Sequence, residues 1–489
     1  MLAPYSTAFE RNLHAVTLLD VANQSLRKTS ALVGIPKSTL HDNLEKYRSD
    51  MALFQSWQDN CETDLVRRIL ITSLDAKVSS RDCATLMAKL FKTNISHQFV
   101  LSVLSQAAEI AKQLNKQSSQ QEGIDKSLAM IRAVGVDEIF QKRIPILGLI
   151  DLTSGYLRME DYKDRSEESW VAFLSELKSF GLNPETVTAD GGQAALKAMK
   201  MVFPDAIRVR DLFHVLYKLN KSLKTIEGIC YRLIIEGDRS SDPALHTKMN
   251  QTIGLYDLLQ VGIQKFTKAC YFSGENEYTS SDQAMKMIDE IVSNLADLKY
   301  LGIKHKKIHD AMTYLANGKE EIVAYKLFIE QAVEAEFGAR FKDMTLGHLC
   351  RIIEIMDQIQ RSSESNSRQR FWAEKLVEAR GLFRKFDWID QSEVDRAINK
   401  VAVIMARAKK SNSLIEAVNS VVRRYLVTYK SIPTWFCPLF TYFWNHRRLK
   451  RGKRAGLKPV EVLAGHMING DWVDAIIERY PFKSKRKAS

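Results

Sequence analysis

The 489 residues predict a multidomain protein built from α and α/β parts. Three observations carry this. Residues 1 to about 120 are helically patterned throughout. Residues 130 to about 221 hold short apolar runs broken by Gly, Pro and acids, in the order β-β-β-α-β-α-β, which makes a mixed sheet with helices on its faces. Residues 222–410 carry long 3.6-period runs with no proline between Pro243 and Pro433, the mark of an all-helical block. Length alone suggests about three domains.

Composition narrows the class. Hydrophobic residues make up 45%, enough for a globular core. The net charge of +13 suits a polyanionic partner, nucleic acid before membrane. The charge is uneven: Asn445–Ser489 holds 12 Lys/Arg against 4 Asp/Glu, either a solvated basic tail or a polyanion site. Cys61, Cys83, Cys230, Cys270, Cys350 and Cys437 include no CxxC pair, which argues against a zinc site or a disulfide framework and fits a reducing cytosol. The amino terminus has no apolar h-region, and "IPILGLI" is far short of the roughly 20 residues of a membrane span. A cytoplasmic protein without a membrane partner is expected.

The amino-terminal region opens with "TAFE" at 7–10, a capping box. In "SLRKTSALVGIPKSTLHDNLEKY", Ser25–Tyr47, a helix stops at Gly34 and Pro36 sits in the first turn of the next. Lys37, Ser38, Thr39, His41 and Asn43 would line that helix's early exposed face. The pattern is that of a helix-turn-helix, whose second helix reads the major groove by its first residues, or of a plain α-hairpin. A second pair follows. Ser79 caps one helix, a turn falls at Lys92–Asn94, and His97 and Gln98 stand exposed early in the next. This pair either reads DNA or supports the first. "NKQSSQQEG", 115–123, reads as a linker.

In the sheet region, "AMIRAVGVDEIF" ends its apolar run in acid, and "IPILGLIDL" and "GYLRMEDY" are strands joined at a Thr-Ser-Gly turn. Ser166 caps a helix bearing Glu167 and Glu168 in its first turn. Strand-like runs then end at Asp190 and Asp211, with His214 close behind. In the helical block, Asn317-Gly318 marks a turn, and Trp372 and Trp388 either stack on a splayed base or sit in core.

Asp137 would end the first strand and Asp190 the fourth. Side by side, their carboxylates would repel unless a cation lay between them. Carboxylate-bridged pairs of hard cations about 3.5–4 Å apart suit in-line attack on a phosphodiester, and oxygen-only ligands favour Mg²⁺ or Mn²⁺. Each acid also has a plain reading. Asp190, before Gly191-Gly192, could form a turn or cap. Glu416, the candidate third carboxylate, could close a capping box with Ser413. Asp211 is the rival third acid.

The motifs "VDEIF" (136–140), "TADGGQAALKAMKMVFPDA" (188–206), "RDLFH" (210–214) and "NSLIEAVNSVVRR" (412–424) together resemble a DDE-class transposase with an RNase H-like core. The chain looks most similar to the Mutator-like group and its bacterial insertion-sequence relatives. The likeness is firm over about 150 residues, roughly 130–222 and 411–465. It implies that Asp137, Asp190 and Glu416 are the catalytic, metal-holding acids, taking two Mg²⁺ or Mn²⁺ ions. It makes Asp211 and His214 an accessory pair. It also implies a core whose first part, 130–221, is separated from its last, 411–465, by the helical block as an insertion, with a basic tail at 466–489. "FWNHRRLKRGKRAGLKPVEVLAG" resembles the closing stretch of many such transposases. The amino end lacks the zinc-ligand cluster of eukaryotic Mutator proteins, which points to a bacterial, nucleoid-associated element.

The expected activity is binding of the ends of a mobile element, metal-dependent cleavage, and strand transfer into target DNA. Paired double-stranded ends imply a homodimer or higher assembly. Further DNA contacts would come from Arg423, Arg424, Arg447, Arg448, Lys450 and Arg451, with Tyr442, Phe443 and Trp444 stacking or supporting a core. Two alternatives stand beside this: a catalytically inactive, transposase-derived DNA-binding regulator, and a structure-specific nuclease.

Overall fold

The structure is a computed structural model. It describes residues 14–15, 18–19, 23–121, 128–141, 144–272, 278–338, 344–362, 365–383, 391–427, 429, 431–450 and 452–481. The chain divides into two compact units, one of Met1–Val103 with Val473–Ser489 and one of Leu104–Trp472.

In the first unit, α1 (Leu26–Val33) is capped by the Ser25 side chain and closed by Gly34 in the left-handed conformation. Pro36 is the N-cap of α2 (Lys37–Leu74), one position earlier than expected, and that helix is 38 residues long. Val33, Ile35 and Leu40 bury the corner between the two helices. Next, α3 (Ser80–Phe91) is capped by Ser79, whose hydroxyl accepts from Asp82 N at 3.2 Å, and it ends at Lys92 with φ of 53°. The following helix, α4 (His97–Gln121), runs through most of 115–123, so that stretch is helical up to Gln121 rather than a linker. The capping box expected at 7–10 lies outside the described residues.

In the second unit the sheet follows the expected order: β1 (Ala133–Gln141), β2 (Ile144–Asp151), β3 (Leu157–Asp161), α5 (Glu167–Ser179), β4 (Thr186–Ala189), α6 (Gln193–Val202) and β5 (Ile207–Arg210). The strands lie in the order β3-β2-β1-β4-β5. β1 is antiparallel to β2 and parallel to β4, and β4 is parallel to β5. Side chains alternate between the two faces. Val134, Val136, Val187 and Ala189 point into a core with Trp170, Phe173 and Leu174 of α5 and Met199 of α6. Gly135, Asp137, Thr186 and Thr188 therefore belong to the opposite face. The Thr186 and Thr188 hydroxyls donate to the carbonyls of Arg407 and Lys409 at 2.6 and 3.0 Å, which lays the returning chain along β4.

Between β5 and that return the described residues form seven helices: α7 (Leu212–Gly237), α8 (Pro243–Ala269), α9 (Ser281–Tyr300), α10 (Lys306–Phe337), α11 (Met344–Arg361), α12 (Asn366–Phe383) and α13 (Gln391–Arg407). They share two apolar cores, one of which takes in Val209 of β5. The expected turn at Asn317-Gly318 is absent, because α10 continues through it. Gly318 is there for space: a Cβ would lie 2.3 Å from the Arg210 guanidinium carbon. Trp372 is half-buried against the apolar core of α11 and α13, and Trp388 lies outside the described residues.

The chain then forms α14 (Ser413–Leu426), α15 (Phe436–His446), α16 (Pro459–Ala464) and α17 (Trp472–Arg479). In α15, Tyr442, Phe443 and Trp444 are buried, so they are core support. Asn445 brackets the edge strand, accepting from Leu157 N at 2.8 Å and donating to Leu157 O at 2.9 Å. The basic tail beyond residue 481 lies outside the described residues. Cys83, Cys230, Cys270, Cys350 and Cys437 are buried free thiols. Among the described residues, no helix is long and apolar enough to cross a membrane.

Candidate active site

Asp137 does not end its strand, because β1 runs on to Gln141. What ends near it is the pairing with β4. Gly135 stands opposite Thr188 in the last pair of this parallel ladder, and Asp137 and Asp190 each lie two residues beyond it. The two-residue alternation puts Asp137 on the face opposite the Trp170 core. Adjacency of β1 and β4 brings Asp190, just past the end of β4, near enough for its charge to raise the Asp137 pKa.

Asp190 follows β4 directly. Its Oδ1 accepts from Gly192 N at 2.9 Å, closing a tight turn in which Gly191 has φ of +97°. The N-cap of α6 is Gly192 and has no side-chain cap bond, so Asp190 shapes the turn without capping the helix.

Glu416 arrives on α14. That helix has Asn412 as its N-cap and no side-chain cap bond, so Ser413 and Glu416 form no capping box. Two asparagines fasten α14 to β1. Asn412 Nδ2 donates to Val136 O at 2.9 Å, and Asn419 Nδ2 donates to Asp137 Oδ2 at 2.6 Å. A Cβ on Gly135 would lie 1.7 Å from Asn412 Oδ1, so only glycine lets the helix approach this closely. Residues 412, 416 and 419 share one helix face, so the two bonds that dock the helix also hold Glu416 toward the strand acids. Ile415 and Val418 line a small apolar recess beneath, with Ile139, Ile146 and Met159.

Asp211 plays a different part. It is fully buried at the N-cap of α7. Its Oδ1 accepts from Phe213 N at 2.9 Å, and its Oδ2 lies 2.9 Å from His214 Nδ1. With both oxygens committed, it orients the imidazole, whose Nε2 lies 3.8 Å from Glu416 Oε1.

Electrostatics tie the group together. The Asp137 carboxyl is raised to about 7, chiefly by burial, with the bond from Glu138 N pulling it down and the negative charges of Glu416 and Asp190 adding to the rise. The His214 imidazole is raised, chiefly by its bond to Asp211 and also by the charges of Asp190 and Glu416. Among the described residues, no Lys or Arg forms an ion pair with Asp137, Asp190 or Glu416, and His214 is the one cation-capable partner found against Glu416.

Carboxylate oxygens suit a hard divalent cation, and an uncompensated negative group is what such an ion would relieve. Among the described residues, however, no three His, Cys, Asp or Glu side chains stand close enough to ligate one ion as they are. Asp137 and Asp190 each have an oxygen held by a backbone N–H, and the second oxygen of Asp137 is held by Asn419. The donor chemistry therefore suits such an ion, while the side chains as they stand do not close around one.

Sequence reading missed Asn412, Asn419 and Tyr314. The seven-residue spacing of the asparagines around Glu416 was available as a signal. Nothing local pointed to Tyr314 of α10, whose hydroxyl donates to Asp190 O at 2.5 Å. Arg210, 5% exposed, backs Tyr314: its guanidinium lies 4.6 Å from the ring centroid, bonds Tyr314 O at 3.2 Å, and bonds Glu321 at 2.6 and 3.1 Å.

The remaining candidates are spread out. Lys37, Ser38, Thr39 and His41 are exposed on the first turns of α2, while Asn43 is half-buried. Gln98 is exposed and His97 half-buried, against the expectation that both are open. Arg423 and Arg424 are exposed in the last turn of α14. Arg447 stacks on Trp444 at 4.1 Å, Arg448 pairs with Glu461 at 3.3 Å, and Lys450 is exposed. Arg451 lies outside the described residues.

Residues 134–250, about a quarter of the chain, match a family model described as "Transposase", of the DDE type and the ISL3 group. The match spans Asp137, Asp190, Asp211 and His214 and stops before Glu416. It supports a DNA transposase of the DDE class and does not bear on the Mutator-like relationship specifically. No curated protein matches the chain.

Proposed function

We propose that the chain binds the ends of its own mobile element, cleaves them with the help of divalent metal, and joins the freed strand to target DNA. The observation that carries this is the mutual repulsion of the Asp137 carboxyl with Glu416 and Asp190 near the Asp211-oriented His214, with no Lys or Arg ion-paired to the three acids among the described residues.

In hydrolysis, water oxygen forms a bond to phosphorus as the P–O3′ bond breaks, leaving a 3′-OH and a 5′-phosphate. In joining, the 3′-OH attacks a target phosphodiester, and one P–O bond is made for one broken. Asp137, Asp190 and Glu416 would hold Mg²⁺ or Mn²⁺, two ions in the fullest form of the reading. A cation there supplies Lewis-acid stabilisation of charge building on the phosphoryl oxygens. His214 presents Nε2 toward Glu416, and its bond to Asp211 orients the ring and favours its protonated form. Tyr314 holds the Asp190 turn. End recognition would fall to Lys37, Ser38, Thr39, His41 and Asn43, with Gln98 and His97 as a second reader. Arg423, Arg424 and Lys450 would contact phosphates.

The test is Mg²⁺- or Mn²⁺-dependent cleavage and joining of DNA carrying the sequences that flank the gene. Wild type should cleave and join. Asp190→Asn and Glu416→Gln should lose activity by about three orders of magnitude or more while still binding the ends. Specific binding by wild type without cleavage in either metal would make the protein a regulator instead. Cleavage without joining would make it a nuclease.

A further inference from the structure

The exposed face of α7 begins at the site and is unusual in composition. Asp211 and Leu212 are buried, and His214 turns toward Glu416. Phe213 and Tyr217, one helical turn apart, instead face outward, 57% and 54% exposed. Their rings lie near-parallel, with centroids 6.4 Å apart and an interplanar angle of 18°. The Phe213 ring also meets the His214 ring edge-on at 5.6 Å. The same face continues through Lys221 and Lys224, both exposed. Lys221 Nζ stands 5.4 Å from the Tyr217 centroid. Neither lysine forms an ion pair among the described residues.

Two large apolar rings held in water beside a carboxylate site are costly unless something covers them. Their outer surfaces can accept one more flat, aromatic group. The lysines that follow favour a polyanionic occupant over an apolar one. A base attached to its phosphodiester backbone meets both requirements, because it offers a π-face to the rings and phosphates to the lysines.

Resting on the reading of this site as one that cleaves DNA, we propose that Phe213 and Tyr217 form a stacking platform for an unpaired base of the DNA strand entering the carboxylate site. Lys221 and Lys224 guide the backbone of the same strand along α7. A duplex keeps its bases stacked on one another and cannot use the platform, so the platform engages DNA opened near the scissile phosphate.

The full chain would be titrated with a thymidine oligonucleotide carrying a single 2-aminopurine, and with a blunt duplex. Wild type should quench 2-aminopurine fluorescence on binding the single strand. The Phe213→Leu/Tyr217→Leu double variant should lose the quench and bind the single strand about tenfold or more weakly, with duplex affinity within about twofold of wild type. Tyr217→Trp, which keeps a stacking ring, should keep both quench and affinity. Unchanged single-strand affinity and quench in the double variant overturns the platform. Loss of self-association in that variant with DNA binding intact also overturns it, since the rings would then serve a second copy. Wild type that cleaves element ends yet never quenches sinks the platform alone. Wild type that binds neither DNA form sinks the DNA reading as well.

Discussion

At the level of single residues, the site is a set of acids whose charges oppose one another. Asp137 shows this most clearly. Its folded-state pKa of about 7 lies above the ordinary 3.8, so folding favours the protonated form. That contribution is fully present below pH about 4 and is lost as pH rises through 7, a cost on the order of 4 kcal/mol by pH 8. His214 acts in the same direction, because its raised pKa stabilises the fold below the imidazole's usual range and the effect fades above it. Thermal melts from pH 4 to 9 should therefore show stability falling through neutrality. Millimolar Mg²⁺ should restore part of it at pH 8 and none at pH 4. A profile that is flat across neutrality and insensitive to Mg²⁺ would contradict the clustered acids. Asp211→Asn removes the acceptor that raises the His214 pKa. It should reduce cleavage about tenfold to a hundredfold and move the pH profile toward acid, with metal uptake kept. Loss of metal uptake in that variant would instead make Asp211 a ligand.

At the level of elements, the site is assembled by three approaches, and the sequence showed them unequally. The strands were legible because period-2 apolar runs ended in Asp190 and Asp211 at turn residues. The parallel neighbours β1 and β4 then needed only the common rule for βαβ units. The docking of α14 was half legible: its amphipathic pattern and the spacing of Asn412 and Asn419 were in the sequence, but the atoms they bond on β1 were not. The contribution of α10 was not legible at all. Gly318 looks like a turn residue in one dimension and is a clearance for Arg210 in three, across more than a hundred residues of chain. Gly318→Ala should destabilise the protein by about 1–3 kcal/mol by displacing the Arg210–Glu321 pair. Tyr314→Phe, which removes only the hydroxyl on Asp190 O, should lower cleavage about tenfold with melting temperature and end binding nearly unchanged. Normal cleavage by Tyr314→Phe would show that the helical block does not support the Asp190 turn.

At the level of the whole molecule, the proposed end-binding residues and the carboxylates fall in different compact units. The exposed start of α2 carries Lys37, Ser38, Thr39 and His41, while the carboxylates belong to the other compact unit. Binding of element ends should weaken steeply with salt, with a log–log slope near −0.9 per neutralised phosphate. Lys37→Ala should reduce that slope by about one, whereas Thr39→Ala should leave it alone and relax sequence preference. A slope indifferent to Lys37 would remove α2 from the interface. The proposed chemistry requires Asp137, Asp190 and Glu416 to act together on a divalent cation. Mn²⁺ titration of the full chain without DNA, followed by electron paramagnetic resonance, tests this most directly. Wild type and Asp211→Asn should take up Mn²⁺ saturably, and Asp190→Asn and Glu416→Gln should not. Uptake kept in Glu416→Gln and lost in Asp211→Asn would contradict that requirement and make Asp211 the third ligand.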